Sequence, residues 1–400
     1  MTMTSRERLL AALDRGSPDR LPVTTHHLMA YFLDKYLGGA SSQEFFDRFD
    51  LDAIYWTTPY RPDADQGESY DPRQVEAGGV ESCPIVTDQW RLEQEALPDH
   101  DYQTVRHRVV TPGGTLTAVA QSNDTTSWMS EPFVKRKQDI DLIGEYVPAP
   151  KCDVAAVNRA AEQFGERGLI RGNVCAFDVY GQPGCWQDAC CLVGTEQLIM
   201  ATYDDPAWVD ELLGILFRRK KVFIESLKGA RYDLVEHGGG AASSTVISPK
   251  IFDRFVARYD APLIGLLHEA GLRVVYHTCG GMMPLLERIA DMNPDAMETF
   301  TPPGMGGDVD LAEAKRRIGA RVCMIGGFDQ FHYFINCRPD ETRTEVSRCF
   351  EAAGRNGGYI LSPSDHFFDA DPELIAAYSA GAHACIYWAT ICSYASQRAW

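Results

Sequence analysis

No run of about 18 consecutive apolar residues occurs in this chain, so a membrane-spanning helix and a membrane partner are not expected. Positive charge is also short: 38 Lys and Arg stand against 56 Asp and Glu, a net charge of −18 at pH 7. Nucleic-acid phosphates need a basic face, and this balance excludes nucleic acid as an expected partner. The opening Met1-Thr-Met-Thr-Ser-Arg-Glu-Arg lacks the basic start and apolar core of a secretory signal, so a cytoplasmic protein is expected. The 12 cysteines include no CxxC pair, which argues against a zinc ribbon or an iron–sulfur cluster. They are scattered without disulfide-framework spacing and read as reduced thiols, mostly small buried hydrophobes.

What is present is a soluble globular composition, 45% hydrophobic and 24% charged, in 400 residues. That length suits one large barrel or two ordinary domains. Ser5–Arg15 reads as an N-capped amphipathic helix closed by Gly16. Pro18–Thr24 leads into a first strand ending near His26-His27, Ser41-x-x-Glu44 is a capping-box helix start, and Asp52–Pro59 reads as a second strand. Between about residues 67 and 130 the texture changes to period-2 alternation, with Thr111-Pro-Gly-Gly114 as a hairpin turn; this is an antiparallel insertion within one domain of residues 1–400.

From about residue 150 helix and strand alternate to the end. The predicted strands are Leu169–Cys175, Asp233–Glu236, Arg273–His277, Ala296–Phe300, Val322–Ile325 and Tyr359–Leu361. With the two earlier strands they number eight, so an α/β fold is expected: a (β/α)8 TIM barrel with an N-terminal helical segment and the antiparallel insertion. Chemistry in such a barrel lies where each strand passes into its following loop. Those places hold Asp178 and Tyr180, Glu236-His237, His277 and Cys279, Glu298, Asp329, and Asp365-His366. Any one of them alone is equally well an N-cap or a strand-end hydrogen bond. Their recurrence at nearly every strand end points to a site. Gly238-Gly-Gly240 and Gly326-Gly327 add bare backbone at two mouth positions.

A His and a Cys two apart on extended backbone face the same side and can share one metal ion. Mixed His, Cys and carboxylate donors suit zinc. His277 and Cys279 are the first ligand candidates and Asp365 the next, with Glu236 and His366 behind. His237 and Glu298 are candidates to orient a ligand. Glu236, His237 and Glu298 are also placed to give a proton to a leaving oxygen. Aromatic and sulfur side chains near the mouth, with Asp329, make a candidate substrate wall: Tyr55, Trp56, Tyr180, Trp186, Phe300, Met305 and Phe328.

Several runs carry a resemblance. They are Ser5-Arg-Glu-Arg-Leu-Leu-Ala-Ala-Leu with Asp19-Arg-Leu-Pro-Val23, Ile247-Ser-Pro-Lys-Ile-Phe-Asp-Arg-Phe255, Tyr276-His-Thr-Cys-Gly280, Ile325-Gly-Gly-Phe-Asp-Gln330 and Gly358-Tyr-Ile-Leu-Ser-Pro-Ser-Asp-His366. Across most of its length the chain resembles the uroporphyrinogen decarboxylase superfamily, and within it the corrinoid-dependent methyltransferases. The decarboxylases' arginine-bearing loop after the first strand is absent; Thr24-Thr-His-His-Leu-Met-Ala-Tyr31 stands there. The H-x-C resembles the zinc motif of the methyltransferase branch, whose third ligand is a late Cys where this chain has Asp365.

The resemblance implies a zinc-dependent methyltransferase. It would move a methyl group from a small methylated substrate, an aryl methyl ether in the leading reading, to the Co(I) of a cobalamin carried by a separate corrinoid protein. The alternatives are methyl transfer from a methylcorrinoid protein to a coenzyme M-like thiol, a metal-free decarboxylase, and a non-enzymatic module that binds a corrinoid protein. Homodimerisation is left open.

Overall fold

The computed structural model describes residues 2–72, 83–98, 101–177 and 179–387. Its strands, in chain order, begin with β1 (Ala53–Trp56), β2 (Tyr60–Arg61), β3 (Ser69–Tyr70) and β4 (Ile85–Val86). An antiparallel set follows: β5 (Arg91–Leu97), β6 (Gln103–Thr111), β7 (Gly114–Ser122) and β8 (Ser127–Glu131). Then come β9 (Lys151–Cys152), β10 (Gly168–Asn173), β11 (Leu234–Gly238), β12 (Val274–His277), β13 (Ala296–Thr299), β14 (Cys323–Gly326) and β15 (Tyr359–Ile360).

Seven strands pair in parallel in the order β1-β10-β11-β12-β13-β14-β15. The segment at 21–24 supplies the eighth stave. Thr24 N donates to Leu361 O at 2.9 Å, Leu361 N to Pro22 O at 2.9 Å, and Asp52 N to Val23 O at 2.7 Å, so the sheet closes between β15 and β1. This is the expected TIM barrel. From Leu169 onward the predicted strands fall within two residues of the observed ones; the strand expected over Asp52–Pro59 ends at Trp56, and the one expected before His26 is reduced to single bridges at Val23 and Leu28. The later strands read correctly because a parallel strand buried on both faces is a short apolar run between loop signals.

One half of that apolar content points inward. Ile54, Leu169, Leu234, Val275, Ala296, Ile325 and Ile360 meet inside the barrel, packed with Leu9, Ala12 and Leu13. The last three belong to the helix Ser5–Leu13, which plugs the end where the strands begin. Its N-cap is Thr4, one residue earlier than expected, in a capping box with Glu7. Arg8 fastens the plug, Nη1 lying 2.6 Å from Asp52 Oδ1 and Nε 2.7 Å from Asp19 Oδ1. The opposite end is therefore the one left for chemistry.

The insertion is a four-stranded antiparallel meander, β5-β6-β7-β8, with Thr111 paired to Gly114 across the predicted turn. Trp90, fully buried, brings the meander against Phe177 just after β10, ring centroids 6.0 Å apart. That contact carries the β7–β8 turn over the open end of the barrel. No described helix is long and apolar enough to cross a membrane.

Candidate functional site

Two residues beyond the inward apolar layer, on five neighbouring strands, stand Trp56, Arg171, Glu236, His277 and Glu298. Strand side chains alternate faces, so i+2 from Ile54, Leu169, Leu234, Val275 and Ala296 must point inward as well. The register pairs His277 with Glu298 and Gly238 with His277. A polar layer thus lies directly on the apolar one.

Its centre is Arg171, only 2% exposed. Nη1 donates to Glu298 Oε2 at 3.0 Å, and Nη2 donates to Glu236 Oε2 at 2.6 Å and to Glu298 Oε1. The guanidinium also lies over the Trp56 ring, 4.1 Å from its centroid. Buried charges are costly unless paired and hydrogen-bonded, and the fork geometry of Arg meets both conditions for two carboxylates at once. Glu298 Oε1 in turn accepts from His277 Nδ1 at 3.0 Å. The carboxylate occupies Nδ1 and fixes the ring, so Nε2 is the nitrogen left for another partner.

Burial alone would raise the Glu298 carboxyl, yet Arg171, His26 and the His277 hydrogen bond hold it well below the usual carboxylate range. For His277 burial acts downward, but hydrogen bonds to Cys279 and Glu298 and the charge of Glu236 raise it well above the ordinary imidazole value. His26 goes the other way, held well below that value by burial and by neighbouring His27. Its ring stacks on that of His277, centroids 5.1 Å apart and planes 14° apart. Among the described residues, the set of three His, Cys or carboxylate donors lying within 4.8 Å of one another is His26, His277 and Glu298.

Above this layer opens a cavity of about 980 Å³, lined by His26, His27, Tyr180, Glu236, His277, Cys279, Asp365 and His366, and on its outer side by the β7–β8 turn at 122–127. No Lys or Arg is among its described lining residues. Cys279 Sγ rests against the backbone of Gly240, where an added Cβ would come within 2.6 Å of the sulfur. Gly238, at φ +104°, makes the turn that brings this loop in. Asp365 Oδ1 lies 2.8 Å from His366 Nδ1. Against the upward push of burial, that hydrogen bond and the charges of His26, His366 and His277 hold the Asp365 carboxyl below its ordinary range.

The structure brings His277, Cys279, Asp365, Glu236 and Tyr180 to one cavity, with Glu298 and Trp56 in the layer beneath. It does not bring His237 there. His237 is one residue off the inward phase, and its Nε2 points into the helix layer, 3.0 Å from Asp260 Oδ1. Asp329 is also diverted: it caps the helix Gln330–Tyr333 and its Oδ2 lies 2.7 Å from His332 Nδ1.

Most of the proposed aromatic wall is packing. Trp186 donates to Ala241 O, Phe328 sits among Tyr333, Phe334 and Tyr378, and Phe300 is fully buried. Tyr55 is 45% exposed on the outer side of β1 and Met305 lies in a turn at 303–305, neither lining the cavity. Asp178 falls outside the described residues. Arg171 and the His26-His27 pair were not among the expected site residues. Carrying the inward phase on from Leu169 would have found Arg171.

Comparison with known proteins agrees with this architecture. The family profile described as Uroporphyrinogen decarboxylase (URO-D) matches residues 157–384. A uroporphyrinogen decarboxylase of Aliivibrio salmonicida is 27% identical over 265 residues, covering 62% of this chain and 68% of that protein. One from Neisseria meningitidis is 32% identical over 134 residues, covering 32% of this chain and 35% of that protein. Among solved structures, a methyltransferase from Methanosarcina mazei shares the fold with a TM-score of 0.60 at 16% identity, over 95% of this chain and 98% of that one. This chain belongs to the uroporphyrinogen decarboxylase (URO-D) family.

Proposed function

We propose that this protein is a metal-dependent methyltransferase, moving a methyl group from a small methylated donor to the reduced cobalt of a separate corrinoid protein. The observation that carries the proposal is the conjunction of His277, its Nδ1 engaged by Glu298, with Cys279 beside it at the floor of an open cavity. The residues that would hold zinc are the His277 imidazole, the Cys279 thiol on a bare glycine shelf, and Asp365 or His26, all lining one cavity; the set of three already within 4.8 Å of one another is His26, His277 and Glu298, so Cys279 and Asp365 would have to close on the ion. When bound, zinc would supply Lewis acidity toward a donor heteroatom, an ether oxygen in the leading reading.

The chain's own residues do the rest. Glu298 and Arg171 hold the His277 ring in one orientation. Glu236 reaches the cavity with one carboxylate oxygen anchored on Arg171. As an ionised carboxylate it is placed to orient a donor or to accept a proton there, while His237, turned into the helix layer, is not. The corrinoid protein would have to approach this open end, since cobalt must meet the methyl carbon within bonding reach.

The family name favours decarboxylation as a second reading. A porphyrinogen carries many carboxylates, however, and the described lining of the cavity holds no Lys or Arg to pair with them. The test is metal analysis of the purified full chain, alone and as Cys279→Ser, together with demethylation of methoxyphenols in the presence of a Co(I) corrinoid protein. About one zinc per chain, lost with activity in a folded Cys279→Ser, is the expected result. A metal-free wild type would refute it. Fast methylation of a thiol from methylcobalamin, with no ether demethylation, would instead select the coenzyme M-like alternative.

A further inference from the structure

The cavity has a sign as well as a shape. Acidic residues line it from three separate elements, Asp124, exposed, at the β7–β8 turn, Glu236 at the end of β11 and Asp365 after β15, and its described lining contains no Lys or Arg. The guanidinium beneath its floor, Arg171, is shared between Glu236 and Glu298. Its charge is spent on those two carboxylates, so it offers the cavity no unpaired cation. Asp365 is engaged with His366. With Cys279 and Asp365 as its ligands a divalent ion would be balanced by them, and Asp124 would be the carboxylate left to the outer cavity.

Asp124 differs from the other two. It lines the cavity from the β7–β8 turn and not from the barrel strand ends that carry His277 and Cys279, and that turn is held by its own hydrogen bonds. Asn123 Oδ1 accepts from Thr125 N at 3.0 Å, Thr126 N at 2.9 Å and Thr125 Oγ1 at 2.9 Å, and Asn123 N donates to Thr126 O at 3.0 Å. Those bonds use Asn123 and leave the Asp124 carboxylate uncommitted among the described residues. Nearby, the Tyr180 and Phe368 rings line the same cavity, and ring faces attract cations as well as flat apolar groups.

Resting on the reading of this cavity as the methyl-donor site, we infer that its substrates are neutral or cationic methyl donors, that anions are rejected, and that Asp124 of the β7–β8 turn reads the charge of the donor's remote end. The antiparallel insertion is then a specificity wall. The mutation that tests it lies outside the ligand and proton-transfer residues.

The probes are three near-isosteric ethers: 4-methoxybenzylamine, cationic at pH 7, 4-methoxybenzyl alcohol, neutral, and 4-methoxybenzoate, anionic. Their affinities for the full-length, metal-loaded protein are measured by calorimetry in wild type, Asp124→Asn and Asp124→Lys. Wild type should bind the amine more tightly than the alcohol by roughly fivefold and the benzoate more weakly than the alcohol by a similar factor, the order expected for one close unit charge in a wet site. Asp124→Asn should level the series and Asp124→Lys should invert it, with alcohol binding nearly constant throughout. Circular dichroism checks that all three proteins are folded. An unchanged order in Asp124→Lys, or a wild type that prefers the benzoate, would overturn the proposal while leaving methyl transfer standing. Binding in the expected order without demethylation would count against the methyl-transfer reading and for the charge reading. Failure of all three ethers to bind would overturn both.

Discussion

Arg171→Met makes the sharpest test of the buried polar layer. Methionine matches the stem of arginine and removes only the charge and its five donors, so the cavity created is small. What it leaves is Glu298, 1% exposed, and Glu236, 5% exposed, without the cation that pairs them. Removing one partner of a buried ion pair costs about 3–5 kcal/mol, and loss of the ring contact with Trp56 adds up to about 2 kcal/mol. The expected destabilisation of the metal-free protein at pH 7 is thus about 3–7 kcal/mol, read as a shift in the denaturant unfolding midpoint at unchanged slope.

The pH dependence carries the sign. In wild type the Glu298 carboxyl is depressed in the fold, so its contribution is present above the unfolded value of about 4.3 and is lost as pH falls through the lower folded value. In Arg171→Met burial pushes that carboxyl upward with only the histidines opposing it. The variant's penalty is therefore full near pH 7 and is relieved as the carboxyl takes up a proton. The gap between the two proteins should narrow from pH 7 toward pH 5. A variant within about 1 kcal/mol of wild type at pH 7, or a gap that widens on acidification, would refute the assignment of Arg171 as the counterion of this layer.

Two further outcomes concern the ligand set. Gly240→Ala needs no unusual backbone change, but its Cβ would meet Cys279 Sγ at 2.6 Å; the protein should stay folded while zinc affinity, measured by chelator competition, falls at least tenfold. His26→Ala and Asp365→Ala separate the two third-ligand candidates: the true ligand's variant should lose zinc stoichiometry in elemental analysis, the other should keep it and change only turnover. Equal retention in both would leave the site without a third protein ligand and count against catalytic zinc.

Much of the site was legible because it rides on strand ends. His277 and Cys279 are two apart on extended backbone, Asp365 and Tyr180 follow their strands closely, and any barrel with these strands must bring them to one mouth. The failures share a cause in phase. His237 and Glu236 are neighbours in sequence, so one faces the cavity and the other the helices, and only the inward count from Leu234 tells which. The aromatic residues failed for a different reason: large rings bury wherever there is room, and Phe328 and Trp186 found it between barrel and helices.

The insertion shows a deeper limit. Its strands and its first turn were readable from alternation and Thr111-Pro-Gly-Gly114, yet its place over the mouth depends on Trp90 meeting Phe177, a contact with no local signature. The same holds for the pair at the centre of the site. Arg171 and Glu298 are 127 residues apart in sequence, and their meeting is settled by register, through β10, β11, β12 and β13 in turn. His277 is aligned directly with Glu298 on the neighbouring strand, so the ring that would face a metal is oriented by a carboxylate one strand away, which is itself held from three strands away. A one-residue slip anywhere in that relay would turn Arg171 or Glu298 out of the barrel and release the His277 ring. The apolar layer beneath is what prevents the slip, since the same shift would expel Leu169, Val275 and Ala296 from the core. Packing below thereby fixes the polar layer above it, and that is why the inward apolar residues locate the candidate site better than the polar residues locate themselves.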